Sequence, residues 1–130
     1  MMTLLFMILM HIIEDFHVQG NMADMKQRCW WMERTASPKY DHDYLAVMLL
    51  HGFEWSAFVH IPMIVAYVIA NGWTFIDSFQ VMLAVSVIAN TVIHSIVDDA
   101  KANRLKINLV TDQVIHLAQI VATYAVMTLV

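Results

Sequence analysis

Four long apolar segments follow one another along this chain of 130 residues, and they constrain its fold more than any other feature. The first is apolar as far as Ile13, and we expect its helix to run from about residue 2 to 25. The other three cover about residues 44–70, 75–100 and 109–129. Each reaches the roughly 20 helical residues that cross a hydrocarbon core of about 30 Å. Such continuous apolar runs lack the alternation of a membrane β-barrel.

Composition supports the same conclusion, because 60 % of the residues are hydrophobic and only 14 % are charged. A soluble domain averages about 25 % charged residues. The first segment lacks the basic start and the small-residue cleavage site of a signal peptide, so we expect it to be retained. The lone Cys29 excludes an internal disulfide bond. The sequence therefore predicts one all-α domain over residues 1–130, an integral membrane four-helix bundle.

The distribution of basic residues predicts the topology of this bundle. Four of the seven lysines and arginines lie in the first connection, and the other three lie in the third connection. The N-terminus, the turn at Asn71-Gly72-Trp73 and the C-terminus contain none. Since basic loops stay in the cytoplasm, we predict a multi-pass protein with both termini on the extracytoplasmic side.

Histidine and aspartate residues recur within the apolar segments, where ionisable side chains are costly and usually functional. Three pairs share an i, i+4 spacing: His11 with Asp15, His94 with Asp98, and Asp112 with His116. This spacing puts both side chains on one helix face, about 6 Å apart along the axis. Since alternate segments run in opposite directions, every pair has its histidine deep and its aspartate nearer the cytoplasm. With His51 of the second segment, one histidine per helix can lie in a common layer.

Imidazoles and carboxylates together suit a divalent transition metal, most simply zinc, or iron or manganese if more oxygen atoms join. Metal sites in helix bundles are built from inward side chains on facing helices. The predicted ligands are His11, Asp15, His51, His94, Asp98, Asp112 and His116. The alternative is a metal-free hydrogen-bonded network that holds the helices together or relays protons. Ligands beyond the needs of one ion could orient the others, bind a second metal or act as a general base.

Two polar residues near the cluster are candidates for contact with a substrate. Gln19 lies one turn beyond Asp15 on the same face, and Lys101 follows Asp98 by three residues and could attract an anion. Three neighbours are left outside the predicted site: Glu14 and Asp99, expected on other helix faces, and His60, expected to pack in the outer leaflet. Glu54 suits a ligand and an interhelical hydrogen bond equally well. No phosphate loop, nucleophile elbow or paired-cysteine motif occurs, and no nucleic-acid partner is expected.

The order of these blocks resembles a family of small membrane proteins of bacteria and their phages, known only as domain of unknown function 3307. The resemblance rests on His11-x-x-x-Asp15-Phe16-x-x-Gln19, a lone His51, His94-x-x-x-Asp98-x-x-Lys101 and Asp112-Gln113-x-x-His116. Glu14 departs from the pattern, which has a small residue there. The resemblance implies a four-helix protein of the bacterial cytoplasmic membrane with no established substrate. A looser similarity to membrane-bound metal-dependent hydrolases is an analogy at the level of the fold.

Three functions are compatible with these residues. The preferred hypothesis is a membrane-embedded metal-dependent hydrolase, open to the cytoplasm, that acts on an anionic lipid or a phosphate-bearing substrate. Its catalytic carboxylates would come from Asp15, Asp98 and Asp112. The second hypothesis is a non-catalytic transporter or channel for protons or metal ions. The third is a phage-type membrane protein in which the cluster is a structural staple. The lipid bilayer is the expected partner, and a homodimer would cover more of the polar site.

Overall fold

The computed structural model describes residues 1–35, 37–72 and 77–129, and within these ranges all regular structure is helical. Helix α1 (Met2–Ile13) continues into a π-helical turn (Glu14–Val18). The first connection contains α2 (Met22–Met25), α3 (Arg28–Arg34) and a 3₁₀ turn (Pro38–Tyr40). Three long helices follow: α4 (Asp43–Asn71), α5 (Ser78–Ala102) and α6 (Leu109–Met127).

Three helices of the described chain are long and apolar enough to cross a membrane, and they are α4, α5 and α6. The predicted first helix differs from the structure, because its helical turns end at Val18 instead of running on to residue 25. Gly20 explains the break: its φ of 49° lies in the left-handed region, which no continuing helix can adopt. Trp73 of the predicted turn and the predicted start of the third segment at Phe75 lie outside the described residues.

Packing between helices leaves an inside-out distribution of side chains. Helix α1 packs on α4 and α6, α4 packs on α5, and α5 packs on α6. A small apolar core lies between them, built around Trp55, Val59 and Ile120. Large apolar side chains also cover the outer surface, where Ile88 is 66 % exposed and Val121 is 50 % exposed. A polar interior beneath an apolar surface agrees with a chain whose solvent is lipid.

Helices α4 and α5 approach each other closely at Gly52. A Cβ atom at this position would lie 2.5 Å from Ser95 Oγ and 2.8 Å from the carbonyl oxygen of Thr91. Ser95 Oγ donates a hydrogen bond across the same contact to the carbonyl oxygen of Met48, at 3.2 Å. His51 precedes Gly52 and His94 precedes Ser95. The close approach of the two helices therefore brings the two histidines into contact.

Candidate metal centre

The structure brings all seven predicted ligands together in the interior of the chain. All seven residues are buried, with at most 5 % of their surface exposed to solvent. Helix α1 and its π-helical turn contribute His11 and Asp15, and α4 contributes His51. The remaining four ligands come from α5 and α6: His94, Asp98, Asp112 and His116. The i, i+4 pairs therefore converge on one buried cluster, because each helix turns the same face inward.

One group of ligand atoms surrounds His116. Its Nε2 atom lies 3.4 Å from Asp98 Oδ1 and 3.4 Å from Asp112 Oδ1. None of these three atoms has a hydrogen-bond partner in the described part of the chain. Tetrahedral zinc with bonds of about 2.0–2.1 Å separates its ligand atoms by about 3.4 Å. The two distances from His116 Nε2 and the missing hydrogen-bond partners fit a bound metal ion.

A second group of ligand atoms surrounds His51. Its Nε2 atom lies 3.2 Å from His94 Nε2, 3.4 Å from Asp98 Oδ2 and 3.5 Å from Asp15 Oδ1. Ligand atoms of Asp15, His51 and His94 are close enough to share one metal ion, as are those of His94, Asp98 and His116. The two groups meet at the same α5 residues.

Glu14 belongs to the cluster, although the sequence analysis left it out. The residue is fully buried, and its Oε1 atom lies 3.2 Å from His51 Nδ1. The π-helical turn explains the difference, because its wider turn brings both Glu14 and Asp15 to the inner face. A carboxylate this close to Nδ1 favours the orientation of the imidazole in which Nε2 points into the centre, as in many carboxylate–histidine–metal arrangements. The signal in the sequence was two adjacent acids within an otherwise apolar segment.

Trp55 is the second residue that the sequence analysis missed. The indole is fully buried and stacks on the His94 ring, with 4.4 Å between the ring centroids. The His94 ring stacks in turn on His116 at 4.1 Å. The spacing offered a signal, since Trp55 follows His51 by four residues and therefore shares its helix face. Trp55 therefore forms the apolar wall of the centre, and its stacking contact orients the His94 ring.

His11 holds a different position from the other three histidines, because both of its ring nitrogens are engaged. Trp55 Nε1 donates a hydrogen bond to His11 Nδ1 at 2.7 Å, and His11 Nε2 lies 3.1 Å from Gln113 Oε1. The Gln113 amide donates to Asp15 Oδ2 at 3.0 Å and to Asp112 Oδ2 at 3.2 Å. In this arrangement His11 has no free nitrogen for a metal ion, and it supports the carboxylates through Gln113.

Two lysines lie against the carboxylates of the centre. Lys26 is only 5 % exposed, and its Nζ atom lies 2.5 Å from Asp98 Oδ2. Lys101 Nζ lies 2.6 Å from Asp112 Oδ2 and 3.9 Å from Asp98 Oδ1. Gln19, the other predicted substrate contact, donates to the carbonyl oxygen of Asp15 and accepts from Lys26 Nζ at 3.1 Å. Both predicted substrate contacts therefore border the centre, where their polar groups bind its own residues.

The charges of the buried centre do not balance by themselves. Four carboxylates converge there: Glu14, Asp15, Asp98 and Asp112. Among the described residues, the ammonium groups that oppose them are those of Lys26 and Lys101. Two negative charges remain, and burying uncompensated charge is costly. One divalent cation would neutralise this excess, as would protons on two imidazoles. The electrostatics are thus compatible with a metal ion and with the metal-free network.

The remaining predicted neighbours lie away from the centre. Asp99 is largely buried outside the centre, where it pairs with the exposed Arg104 at 2.5 Å. His60 is buried, and its Nδ1 atom lies 2.7 Å from the carbonyl oxygen of Ser56 in the preceding turn. Comparison with protein-family models, curated proteins and solved structures finds no match to this chain. The resemblance to family 3307 stays a prediction.

Proposed function

We propose that this chain is a membrane-embedded metal-dependent hydrolase whose four spanning helices enclose a divalent metal site. The observation that carries the proposal is the buried group of His94, Asp98 and His116, whose ligand atoms lie close enough to share one metal ion. In the described chain His116 Nε2 and Asp98 Oδ1 have no hydrogen-bond partner. Zinc is the simplest ion for these ligands, with manganese or iron as alternatives. The fourth span in this proposal is α1 with its π-helical turn, in the bacterial cytoplasmic membrane.

The residues of the centre divide the work of a hydrolase among them. A bound divalent ion supplies Lewis acidity and makes a coordinated water nucleophilic at neutral pH. Of the three predicted catalytic aspartates, Asp98 and Asp112 pair with lysines within the described residues and Asp15 does not, so Asp15 is the best suited of the three to accept a proton. The Lys101 side chain is 26 % exposed and offers an anionic lipid or phosphate-bearing substrate its first positive charge. Trp55 excludes water from the opposite side.

Elemental analysis of the detergent-purified chain tests the metal site directly. We expect at least one zinc or manganese ion per chain after loading, and a lower metal content in His116→Ala than in the unchanged chain, since this variant removes a donor from the proposed group. His60→Ala is the matched control, because His60 is equally buried and its hydrogen bond, in the part of the chain that the structure describes, is to Ser56 in its own helix. A chain without metal after loading contradicts the proposal.

Metal-dependent release of phosphate from vesicles of a lipid phosphate monoester tests the hydrolase activity. Bound metal without turnover supports the hypothesis of a structural staple.

The topology within this proposal makes a separate prediction about Cys29. This cysteine is the only one in the chain, is exposed, and lies in the first basic connection. A maleimide that cannot cross membranes should label Cys29 in inverted vesicles and leave it unlabelled in intact spheroplasts. Cys29→Ser combined with Leu129→Cys should reverse the pattern, because position 129 lies at the C-terminus and is 87 % exposed. Labelling of Cys29 from outside contradicts the assigned orientation.

Transport of protons or metal ions is a second candidate, favoured by polar contacts beyond the centre. Gln119 donates to Asn90 Oδ1 at 2.7 Å, and Asn90 donates to Thr123 Oγ1 at 2.8 Å. These polar residues lie between α5 and α6, at least about one helical turn from His94 and His116 along their helices. Ion flux in proteoliposomes that disappears in both His94→Ala and Asn90→Leu would favour transport over hydrolysis.

A further inference from the structure

Asp98 turns its two carboxylate oxygens towards different groups of ligand atoms. Oδ1 lies 3.4 Å from His116 Nε2, and Oδ2 lies 3.4 Å from His51 Nε2. The residue is fully buried, so both oxygens act within the protein interior. We propose that Asp98 bridges two divalent metal ions in one dinuclear centre. The inference rests on the proposed function and extends it to the number of ions and the charge of the substrate.

The donors divide into two sets that this carboxylate joins, and His94 lies within reach of both. On the Oδ1 side stand His116 Nε2 and Asp112 Oδ1. On the Oδ2 side stand three donors: Asp15 Oδ1, His51 Nε2 and His94 Nε2. His94 belongs to this second set because its Nε2 atom lies 3.2 Å from that of His51. Each ion thus receives at least three protein donors, and the first keeps an open position for water or substrate.

Lys26 does not prevent an ion from binding on the Oδ2 side. Its ammonium group lies 2.5 Å from Asp98 Oδ2, but a carboxylate has about four lone-pair directions, two on each oxygen. One direction on Oδ2 can serve Lys26 and the other can serve a metal ion. Bridging carboxylates are a common way to hold two ions at the roughly 3.5–4 Å separation of two-metal hydrolases.

Charge then identifies the class of ligand that completes the centre. One divalent ion neutralises the excess of carboxylates over lysines, so a second ion leaves two positive charges buried. An anion bound between the ions removes this excess, and a phosphate monoester group carries about the charge required. The second ion and a phosphate group therefore bind cooperatively, and each raises the affinity of the centre for the other by the same factor.

The test is metal stoichiometry of the full-length chain in detergent, loaded with manganese in the presence and absence of inorganic phosphate. Phosphate should raise the count to two ions per chain, and the electron paramagnetic resonance spectrum should become that of an exchange-coupled manganese pair. His116→Ala and His51→Ala should each retain one uncoupled ion, because each variant removes a donor from a different set. His60→Ala is the control and should keep two ions.

The outcomes separate this inference from the function on which it rests. A single uncoupled ion in the unchanged chain under both conditions overturns the bridge and leaves a mononuclear hydrolase intact. No bound metal under either condition overturns both proposals. Two coupled ions that bind equally well without phosphate support the bridge and overturn the coupling to an anion. The spectrum of the unchanged chain decides these cases even if a histidine variant fails to fold.

Discussion

Replacing Asp98 with alanine is expected to abolish metal binding and to lower the free energy of unfolding by about 3–5 kcal/mol. Asp98 is fully buried, and its carboxylate faces His51, His116 and Lys26. Removing it leaves the Lys26 ammonium group buried without its closest counter-ion. An uncompensated buried charge is far more costly than the loss of an exposed ion pair, and this accounts for the size of the effect.

The neighbouring residue provides the matched control for this experiment. Asp99 also forms an ion pair on α5, but its partner Arg104 has a side chain that is 64 % exposed. An ion pair whose partner is this exposed contributes about 0–1 kcal/mol, so Asp99→Ala should change stability and metal content much less than Asp98→Ala. Denaturant unfolding in detergent and elemental analysis of the same samples measure the two effects. Equal losses in Asp98→Ala and Asp99→Ala would contradict the assignment of Asp98 to the centre.

Trp55→Ala is expected to be the most damaging change outside the charged residues, costing about 3–5 kcal/mol. The indole is fully buried and touches the rings of three histidines, so alanine leaves a cavity beside the centre. Trp55→Phe keeps most of the ring stacking on His94 but removes the hydrogen bond to His11. Because a buried acceptor then lacks its donor, we expect a smaller loss of about 1–3 kcal/mol.

Nitrogen chemical shifts of the His11 imidazole distinguish this hydrogen bond from simple packing. In the unchanged chain Nδ1 accepts from Trp55, and the opposite nitrogen lies beside the Gln113 amide oxygen. Trp55→Phe should shift the His11 signals by releasing Nδ1. Trp30→Phe is the control, because Trp30 lies in the first connection against Trp31 and Arg34. Unchanged His11 signals in Trp55→Phe would show that the indole only fills space.

The parts of this structure that follow from helical periodicity could be predicted from the sequence. The i, i+4 pairs on three segments require only regular helices, and an apolar surround forces such side chains inward. Glu14 could not be placed in the same way, because a π-helical turn changes the face on which a residue lies. Periodicity also gives no information on partners distant in sequence. Lys26, in the first connection, contacts Asp98 from 72 residues away.

The first segment shows why helix length is harder to predict than helix position. Its apolar residues indicated a helix, and α1 does begin at Met2. The end depends on Gly20, whose left-handed conformation is available to glycine but not demanded by it. Nothing in the apolar pattern distinguishes a glycine that ends a helix from one within it. The position of Trp55, in contrast, could have been predicted from helical periodicity, because Trp55 follows His51 by four residues.

Gly52 contributes no donor atom to the centre, but it sets the distance between α4 and α5 there. Metal–ligand distances hold to within about 0.2 Å. A methyl group at position 52 would start 2.8 Å from the backbone carbonyl oxygen of Thr91, so α5 would have to move by a few tenths of an ångström to relieve the contact. His94 and Asp98 are on the helix that would move. Because Gly52 has no Cβ atom, α5 can lie close enough to α4 for His94 and Asp98 to contact His51.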